Sequence, residues 1–255
     1  MTISVVVITK NEEANIARCL ASVAWADEIV VLDSGSTDRT VEIAKRHTSR
    51  VYIDEWRGFG PQKNLALSYA KGDWVLSLDA DEWVSEELAV EMKAAACETS
   101  NFNAFSIPRS SSFCGRFIRH SGWWPDYVTR LFRRGKAAFS EDLVHERLVV
   151  SGTVGKLTTP LLHESYRNLD QVIDKINLYS QLAATDMHVH GRNGSVSIAV
   201  AKGIWAFIRT YLLRAGFLDG REGFIVAVGA AESTYYRYLK LMYLNETRQA
   251  KDPSD

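Results

Sequence analysis

Cysteine and proline are scarce in this sequence, and its charges cancel. Its three cysteines (Cys19, Cys97, Cys114) form an odd, widely spaced set with no CxxC pair. Neither a disulfide framework nor a zinc site is indicated, and a reducing compartment fits. Five prolines and sixteen glycines in 255 residues exclude a fibrous repeat and argue against disorder. Thirty basic residues against thirty-one acidic ones leave a formal charge of −1, which excludes nucleic-acid binding through bulk charge. No apolar run reads as long enough to span a bilayer. Residues 3–8 are too short for an export signal and lack its basic start. The expected place is therefore the cytoplasm, in solution or on a membrane surface. What is present is a 46% hydrophobic, 24% charged composition, enough to fill the core of one large domain or two small ones.

The first hundred residues alternate two hydrophobic periods. Residues 3–8, 28–32, 51–53 and 73–78 read as strands, and residues 11–23, 37–47, 61–70 and 85–97 as helices. Such alternation predicts βαβ units, with a mostly parallel sheet covered by helices on both faces. From about residue 103 to 163 short strands are separated by long connections, and beyond Tyr166 the pattern is helical. One helix face is read through Val172, Ile173, Ile176, Tyr179, Leu182 and Ala183. The predicted organisation is an α/β domain over residues 1–165 and a helical extension over residues 166–255.

In open α/β sheets ligands bind beyond the carboxyl ends of the strands, so the residues there deserve a close reading. The first strand ends in Thr9-Lys10-Asn11-Glu12, which reads either as ligand contacts or as a capping box between Thr9 and Glu12. A glycine-rich dinucleotide turn is lacking, which disfavours a dehydrogenase. The second strand delivers Asp33, a turn former or a nucleoside ligand, with Ser36 or Thr37 capping the next helix. The strand at 74–78 delivers Asp79-Ala80-Asp81-Glu82, whose three carboxylates repel one another unless a cation or donors compensate. Hard oxygen ligands of this kind suit Mg²⁺ or Mn²⁺ shared with a diphosphate. The other reading is a solvated helix entry ahead of Ser85.

Between Arg109 and Lys136, seven basic residues face the single acid Asp126, interleaved with Phe113, Phe117, Trp123 and Trp124. Aromatic faces suit sugar rings and arginine forks suit phosphate or carboxylate. A solvated basic loop with its tryptophans in the core is the alternative. Single-stranded nucleic acid would suit the same interleaving, but the carboxylates after the strands argue against it. The tail places Ile204, Trp205, Phe207, Leu212, Leu213, Phe217 and Leu218 among Lys202, Arg209 and Arg214. This suits helices lying on anionic lipid, or a hairpin packed on the catalytic domain or on a second subunit.

The runs SVVVITKNEEANIARCLASV, EIVVLDSGSTDRT and GDWVLSLDADE, in that order, resemble family 2 inverting nucleotide-sugar transferases of the GT-A fold. RLFRR, VHERL, LLHESY and GFLDG are similar to a narrower group, bacterial lipopolysaccharide inner-core β-1,4-glucosyltransferases that carry glucose from UDP-glucose to a heptose. The resemblance implies the GT-A nucleotide-sugar-binding fold with a C-terminal helical extension. It implies Thr9, Glu12 and Asp33 around the uridine, Lys63 near the nucleotide and Asp79 on the ribose. It implies Asp81 on a Mg²⁺ or Mn²⁺ that bridges the diphosphate. His163 is a further candidate metal ligand, or a strand-end histidine hydrogen-bonded in the core; Lys63 is otherwise a solvated first-turn residue. The catalytic base is implied after the acceptor-side strands, where Glu146 is preferred and Asp142 is second. The implied partners are a UDP-sugar donor, a lipopolysaccharide core or other lipid-linked acceptor, and anionic membrane, at the cytoplasmic face of the inner membrane. A sugar-1-phosphate nucleotidyltransferase would need a glycine-rich, arginine-containing loop after the first strand. A non-catalytic saccharide- or membrane-binding module would have no reason to hold Asp33, Asp79 and Asp81 together.

Overall fold

A computed structural model describes residues 1–97, 99–140 and 147–251. In chain order the first elements are β1 (Ile3–Thr9), α1 (Ile16–Ser22), β2 (Glu28–Asp33), α2 (Thr40–Ala44), β3 (Val51–Ile53) and α3 (Phe59–Ser68). There follow β4 (Trp74–Asp79), β5 (Glu82–Trp83), α4 (Glu86–Ala95), β6 (Ala104–Phe113), β7 (Arg116–Phe117) and β8 (Asp126–Arg133). The remainder is β9 (Ala137–Phe139), β10 (Leu148–Val150), β11 (Val154–Lys156), β12 (Leu161–Tyr166), α5 (Leu169–Val189), α6 (Val196–Ile208) and α7 (Gly220–Lys251). A π-helical segment, Arg209–Leu213, and a 3₁₀ turn, Gly216–Asp219, join α6 to α7.

The chain divides into two compact units. The first holds residues 1–110 and 125–163, the second residues 111–124 and 164–255. In the first, the sheet order is β3-β2-β1-β4-β8-β6-β12-β5. The β3-β2-β1-β4 half is parallel, and β8 runs antiparallel to both β4 and β6. Alternation along β1 decides what covers each face. Ile3, Val5 and Val7 join Ile16 and Leu20 of α1 and Leu88 and Met92 of α4 in one core. Val6 joins Val30, Leu32, Val75 and Ala66 of α3 in the other. Each fully buried valine or leucine contributes about 1.5–3 kcal/mol, so both faces are firmly held. This is the doubly covered α/β architecture expected for a GT-A fold.

The helices flanking β2 are shorter than the periodicity suggests. Asn11 adopts a left-handed φ of 55°, and α1 starts only at Ile16, after Asn15. The Thr9–Glu12 capping box does not form: Glu12 instead accepts from the Asn15 amide at 2.8 Å and donates its backbone N–H to Thr40 Oγ1 at 2.7 Å. Nor does Ser36 or Thr37 cap α2, which begins at Thr40; Ser36 Oγ donates to Asp33.

In the second unit α5 and α6 both pack on α7. Gly194 allows the close approach, because a Cβ there would lie 2.5 Å from the Tyr238 carbonyl oxygen. The seam of α5 runs through Val172, Ile176, Ser180 and Ala184 at spacings of four; Ile173, Tyr179 and Leu182, placed on the buried face by sequence, are exposed. Lys240 ties α7 to α5 through Asn177 and Ser180 at 2.8–2.9 Å. The expectation that no stretch reaches spanning length is also corrected. Residues Val196–Leu213 form an 18-residue helical window of mean hydropathy 1.4, long and apolar enough to cross a membrane by length and composition alone.

Candidate active site

Strand register brings the sequence-predicted residues together. Thr9 at the end of β1 pairs with Asp33 at the end of β2, and Ile8 pairs with Asp79 at the end of β4. Three adjacent parallel strands thus present Thr9 and Asp33 at one level and Asp79 one residue before it, at the strand ends where ligands bind in such sheets. The loops that follow are stitched together: Asn11 accepts from the Thr37 N–H at 2.8 Å and donates its own N–H to Ser36 Oγ at 2.8 Å.

Asp33 is buried and shapes its own turn, accepting from the N–H groups of Gly35 and Ser36 at 2.9 and 2.8 Å and from Ser36 Oγ. A carboxylate offers about four acceptor sites, so this turn role leaves capacity for a ligand.

The repulsion expected among Asp79, Asp81 and Glu82 is relieved by donors for two of the three. Lys63 Nζ lies 3.1 Å from Asp79 Oδ1, and Arg130 Nη2 binds Asp79 Oδ2. Arg130 also reaches Glu82 Oε1 at 2.7 Å, and Arg109 joins Glu82 at 3.4 Å to Asp126 at 2.7 Å. Burial would push the Asp79 carboxyl up, but the Arg130 and Lys63 cations outweigh it and hold the group well below the usual carboxylate range. Burial likewise pushes Arg130 down, and Asp79 and Glu82 more than reverse this. Both ions therefore stay charged in a pre-set chain of alternating sign. Lys63 is buried on α3 and is not a solvated first-turn residue.

Asp81, two residues beyond Asp79, meets the other candidate metal ligand. Pairing of β12 with β5 sets His163 opposite Glu82 and brings His163 Nε2 to 3.5 Å from Asp81 Oδ2. Among the described residues no group of three or more His, Cys, Asp or Glu side chains could hold a metal ion. The Asp81–His163 pair fits a cation that takes its remaining ligands from a diphosphate, since carboxylate oxygen suits Mg²⁺ and Mn²⁺. Asp142 and Glu146, the candidate bases, lie outside the described residues, as do Glu141 and His145.

The roles of Gln62, Ser34 and Arg130 were not legible in the sequence. Gln62, next to Lys63, is fully buried with neither amide atom hydrogen-bonded, and Thr9 Oγ1 and Ser34 Oγ are buried and equally unpartnered. Such groups cost about 1–3 kcal/mol each, and α3 packs against β1 and β2, whose ends carry the other two. Arg130 was read only as part of a basic, aromatic acceptor patch. The residues of that patch divide between the two units. Arg109 and Arg130 belong to the ion chain above, Arg134 donates to the Gly72 carbonyl at 2.8 Å, and Arg116 pairs with Glu222 at 3.5 Å in the other unit.

The family described as Glycosyl transferase family 2 matches residues 4–147. An uncharacterized glycosyltransferase of Rickettsia typhi is 32% identical over 255 residues, covering 95% of this chain and 87% of that protein. The lipopolysaccharide core biosynthesis glycosyltransferase LpsC of Rhizobium meliloti is 30% identical over 94% of this chain and 92% of its own. Among solved structures, residues 1–349 of TarS from S. aureus match at 20% identity with a TM-score of 0.48, over 96% of this chain and 92% of that one.

Proposed function

The chain belongs to glycosyl transferase family 2 and uses a nucleotide-sugar donor, and from that premise we propose an inverting hexosyltransferase that moves glucose from UDP-glucose to a heptose of the lipopolysaccharide inner core. The observation that carries the donor half is the gathering of Thr9, Asp33 and Asp79 at the ends of three adjacent strands, together with the unpartnered buried atoms of Thr9, Ser34 and Gln62. A nucleotide supplies the donors and acceptors those atoms lack. The acceptor half is supported by the resemblance of RLFRR, VHERL and LLHESY and by the likeness to LpsC.

In this reading Thr9, Glu12 and Asp33 hold the uridine, Asp79 the ribose, and Lys63 stands by the nucleotide, 3.1 Å from Asp79. Asp81 and His163 would hold Mg²⁺ or Mn²⁺, which supplies Lewis-acid neutralisation of the departing diphosphate. Glu146, with Asp142 as second choice, takes the proton of the acceptor hydroxyl. That oxygen bonds to the anomeric carbon as the bond to the diphosphate breaks and UDP leaves with the electron pair. The helical unit is an interfacial anchor. Its support is the exposure of Ile204, Trp205, Leu212, Leu213, Phe217 and Leu218 beside Lys202, Arg209 and Arg214. The work site is then the cytoplasmic face of the inner membrane.

The test is a donor screen of the purified chain with UDP-, GDP-, ADP- and dTDP-sugars, with Mg²⁺ or Mn²⁺, and a heptose-terminated core acceptor. The expected result is metal-dependent β-glucosyl transfer from UDP-glucose. Transfer only to another lipid-linked or cell-surface glycan would move the acceptor assignment, and nucleotide binding without transfer would leave a saccharide-binding module. Glu146→Gln keeps shape but removes basicity, and turnover should fall by roughly 10²–10⁴-fold with UDP affinity unchanged. A near-normal rate, with Asp142→Asn inactive, would shift the base to Asp142.

A further inference from the structure

The helical unit contains a cavity of 320 Å³ that the sugar-transfer reading does not use. That volume is near the lower end of the roughly 300–1,000 Å³ typical of small-molecule sites. Its apolar wall includes Trp123, Tyr166, Ile176 and Val226, and its cations are Lys175, Arg209 and Arg214. Among the described residues no aspartate or glutamate lines it. Lys175 Nζ donates to the Ser165 carbonyl at 3.3 Å and sits 4.7 Å from the centre of the Tyr166 ring. Arg214 packs over Gly122, where a Cβ would come within 2.3 Å of Nη1.

A second observation points independently to a ligand. Ser121 lines the cavity, is 3% exposed, and its Oγ has no hydrogen-bond partner. Its backbone is held in the left-handed region at φ 61°, and Ala215 lies there too at φ 52°. The Ser121 N–H donates to the Arg214 carbonyl at 2.9 Å, which links the two segments. Between Arg209 and Leu213 the helix widens to a π-helix, and this segment puts Arg209 and Thr210 on the cavity. Left-handed non-glycine residues cost about 1–3 kcal/mol each and cluster at ligand clamps, and π-segments are frequent at functional sites. Buried Asp219 secures the loop, accepting from the N–H groups of Arg119 and His120 at 3.1 and 2.9 Å.

We propose that this cavity binds the phosphate of an anionic lipid, with the headgroup on Arg209, Arg214 and Ser121 Oγ and the start of the chain against Trp123, Tyr166, Ile176 and Val226. Arginine forks match phosphate oxygens and the hydroxyl adds a donor. A free sugar phosphate would satisfy the cations equally but would leave Ile176 and Val226 without an apolar partner. The segments that supply the cations also carry Leu212, Leu213, Phe217 and Leu218 exposed to solvent. That continuity favours a lipid over a soluble anion. The proposal rests on the reading of the helical unit as an interfacial anchor and uses no residue of the donor crevice, so its failure would leave the sugar-transfer reading untouched.

Calorimetry on the full chain tests it, with dihexanoyl phosphatidic acid below its micelle concentration as probe. Dihexanoyl phosphatidylcholine, glucose 1-phosphate and inorganic phosphate serve as comparators. Phosphatidic acid should bind at least tenfold tighter than any of the three. The double substitution Arg209→Gln and Arg214→Gln should weaken it tenfold or more. Ala230→Phe, which fills the cavity and keeps both arginines, should do the same, with UDP binding unchanged as the check on folding. Ser233→Leu fills the cavity from another position should Ala230→Phe fail that check. Glucose 1-phosphate or inorganic phosphate binding as tightly as phosphatidic acid would overturn the proposal. So would equal binding of phosphatidylcholine, or folded cavity-filled variants that bind normally.

Discussion

Gln62 is sealed from solvent with both amide atoms unpartnered, in a helix turn that also buries Lys63. A group in that state destabilises the ligand-free protein by about 1–3 kcal/mol and is tolerated where a ligand completes it. Gln62→Met, close in volume, should therefore raise the unfolding free energy of the ligand-free chain by about 1 kcal/mol in urea titrations. It should weaken UDP binding by roughly tenfold, one lost hydrogen bond to a buried partner. Unchanged UDP affinity would remove Gln62 from the donor site. Asp81→Asn gives the complementary result: the fold stands, and UDP binding no longer depends on Mn²⁺ in calorimetry. Retained Mn²⁺ dependence would refute the metal assignment. Asp79 and Asp81 were legible in sequence because carboxylates so dense after an apolar run need compensation. Gln62 and Arg130 were not, because nothing local marks a lone glutamine as buried, and Arg130 meets Asp79 and Glu82 only across the sheet.

Among elements, the buried parallel strands were the most legible, since runs such as residues 3–8 and 28–32 have two packed faces to satisfy. The two-residue strands β5 and β7 carry no periodicity at all, yet β5 is what positions His163 beside Asp81. The early start read for α1 failed because Asn11, left-handed, turns the chain to meet the loop after β2. A similar long-range tie fixes the link between β11 and β12. Glu91 on α4 accepts from Thr158 N–H and Oγ1 at 2.8 and 2.9 Å and from Thr159 N–H at 2.8 Å. Burial pushes the Glu91 carboxyl up, but these hydrogen bonds from Thr159 and Thr158 more than offset it, and its pKa is lowered from the ordinary 4.5. A carboxyl lowered on folding stabilises above its unfolded value and loses that contribution as pH falls through its folded value. Glu91→Gln should therefore cost about 1 kcal/mol at pH 7, allowing for solvent screening. The difference should shrink below about pH 4.5 in denaturant midpoints measured across pH. An equal cost at pH 3 and pH 7 would show that the charge is not what matters.

At the scale of the whole molecule, the open matter is what the apolar surface of the helical unit meets. Leu212, Leu213 and Phe217 are each about half exposed or more, on the segments between α6 and α7 that carry Arg209 and Arg214. The run Val196–Leu213 is apolar enough for a span, but it includes Lys202 and Arg209, both exposed. A helix with cations beside its apolar stripe lies along an anionic surface more readily than it crosses one. Burying each of those three side chains in lipid contributes about 1.5 kcal/mol, roughly tenfold in partitioning, and each cation near an anionic surface about 1 kcal/mol. Leu212→Ser, Leu213→Ser and Phe217→Ser together should then lower sedimentation with phosphatidylglycerol vesicles by about a hundredfold or more. The unaltered chain should lose binding as salt rises, because the cationic share is screened. UDP affinity should be the same in both. The competing reading, a second copy of the chain over this stripe, makes the opposite forecast: the variant would shift from dimer to monomer in analytical ultracentrifugation while vesicle binding stayed as it was. The two measurements on one variant separate the readings, since lipid contact alone couples the apolar loss to a salt-sensitive change in vesicle binding.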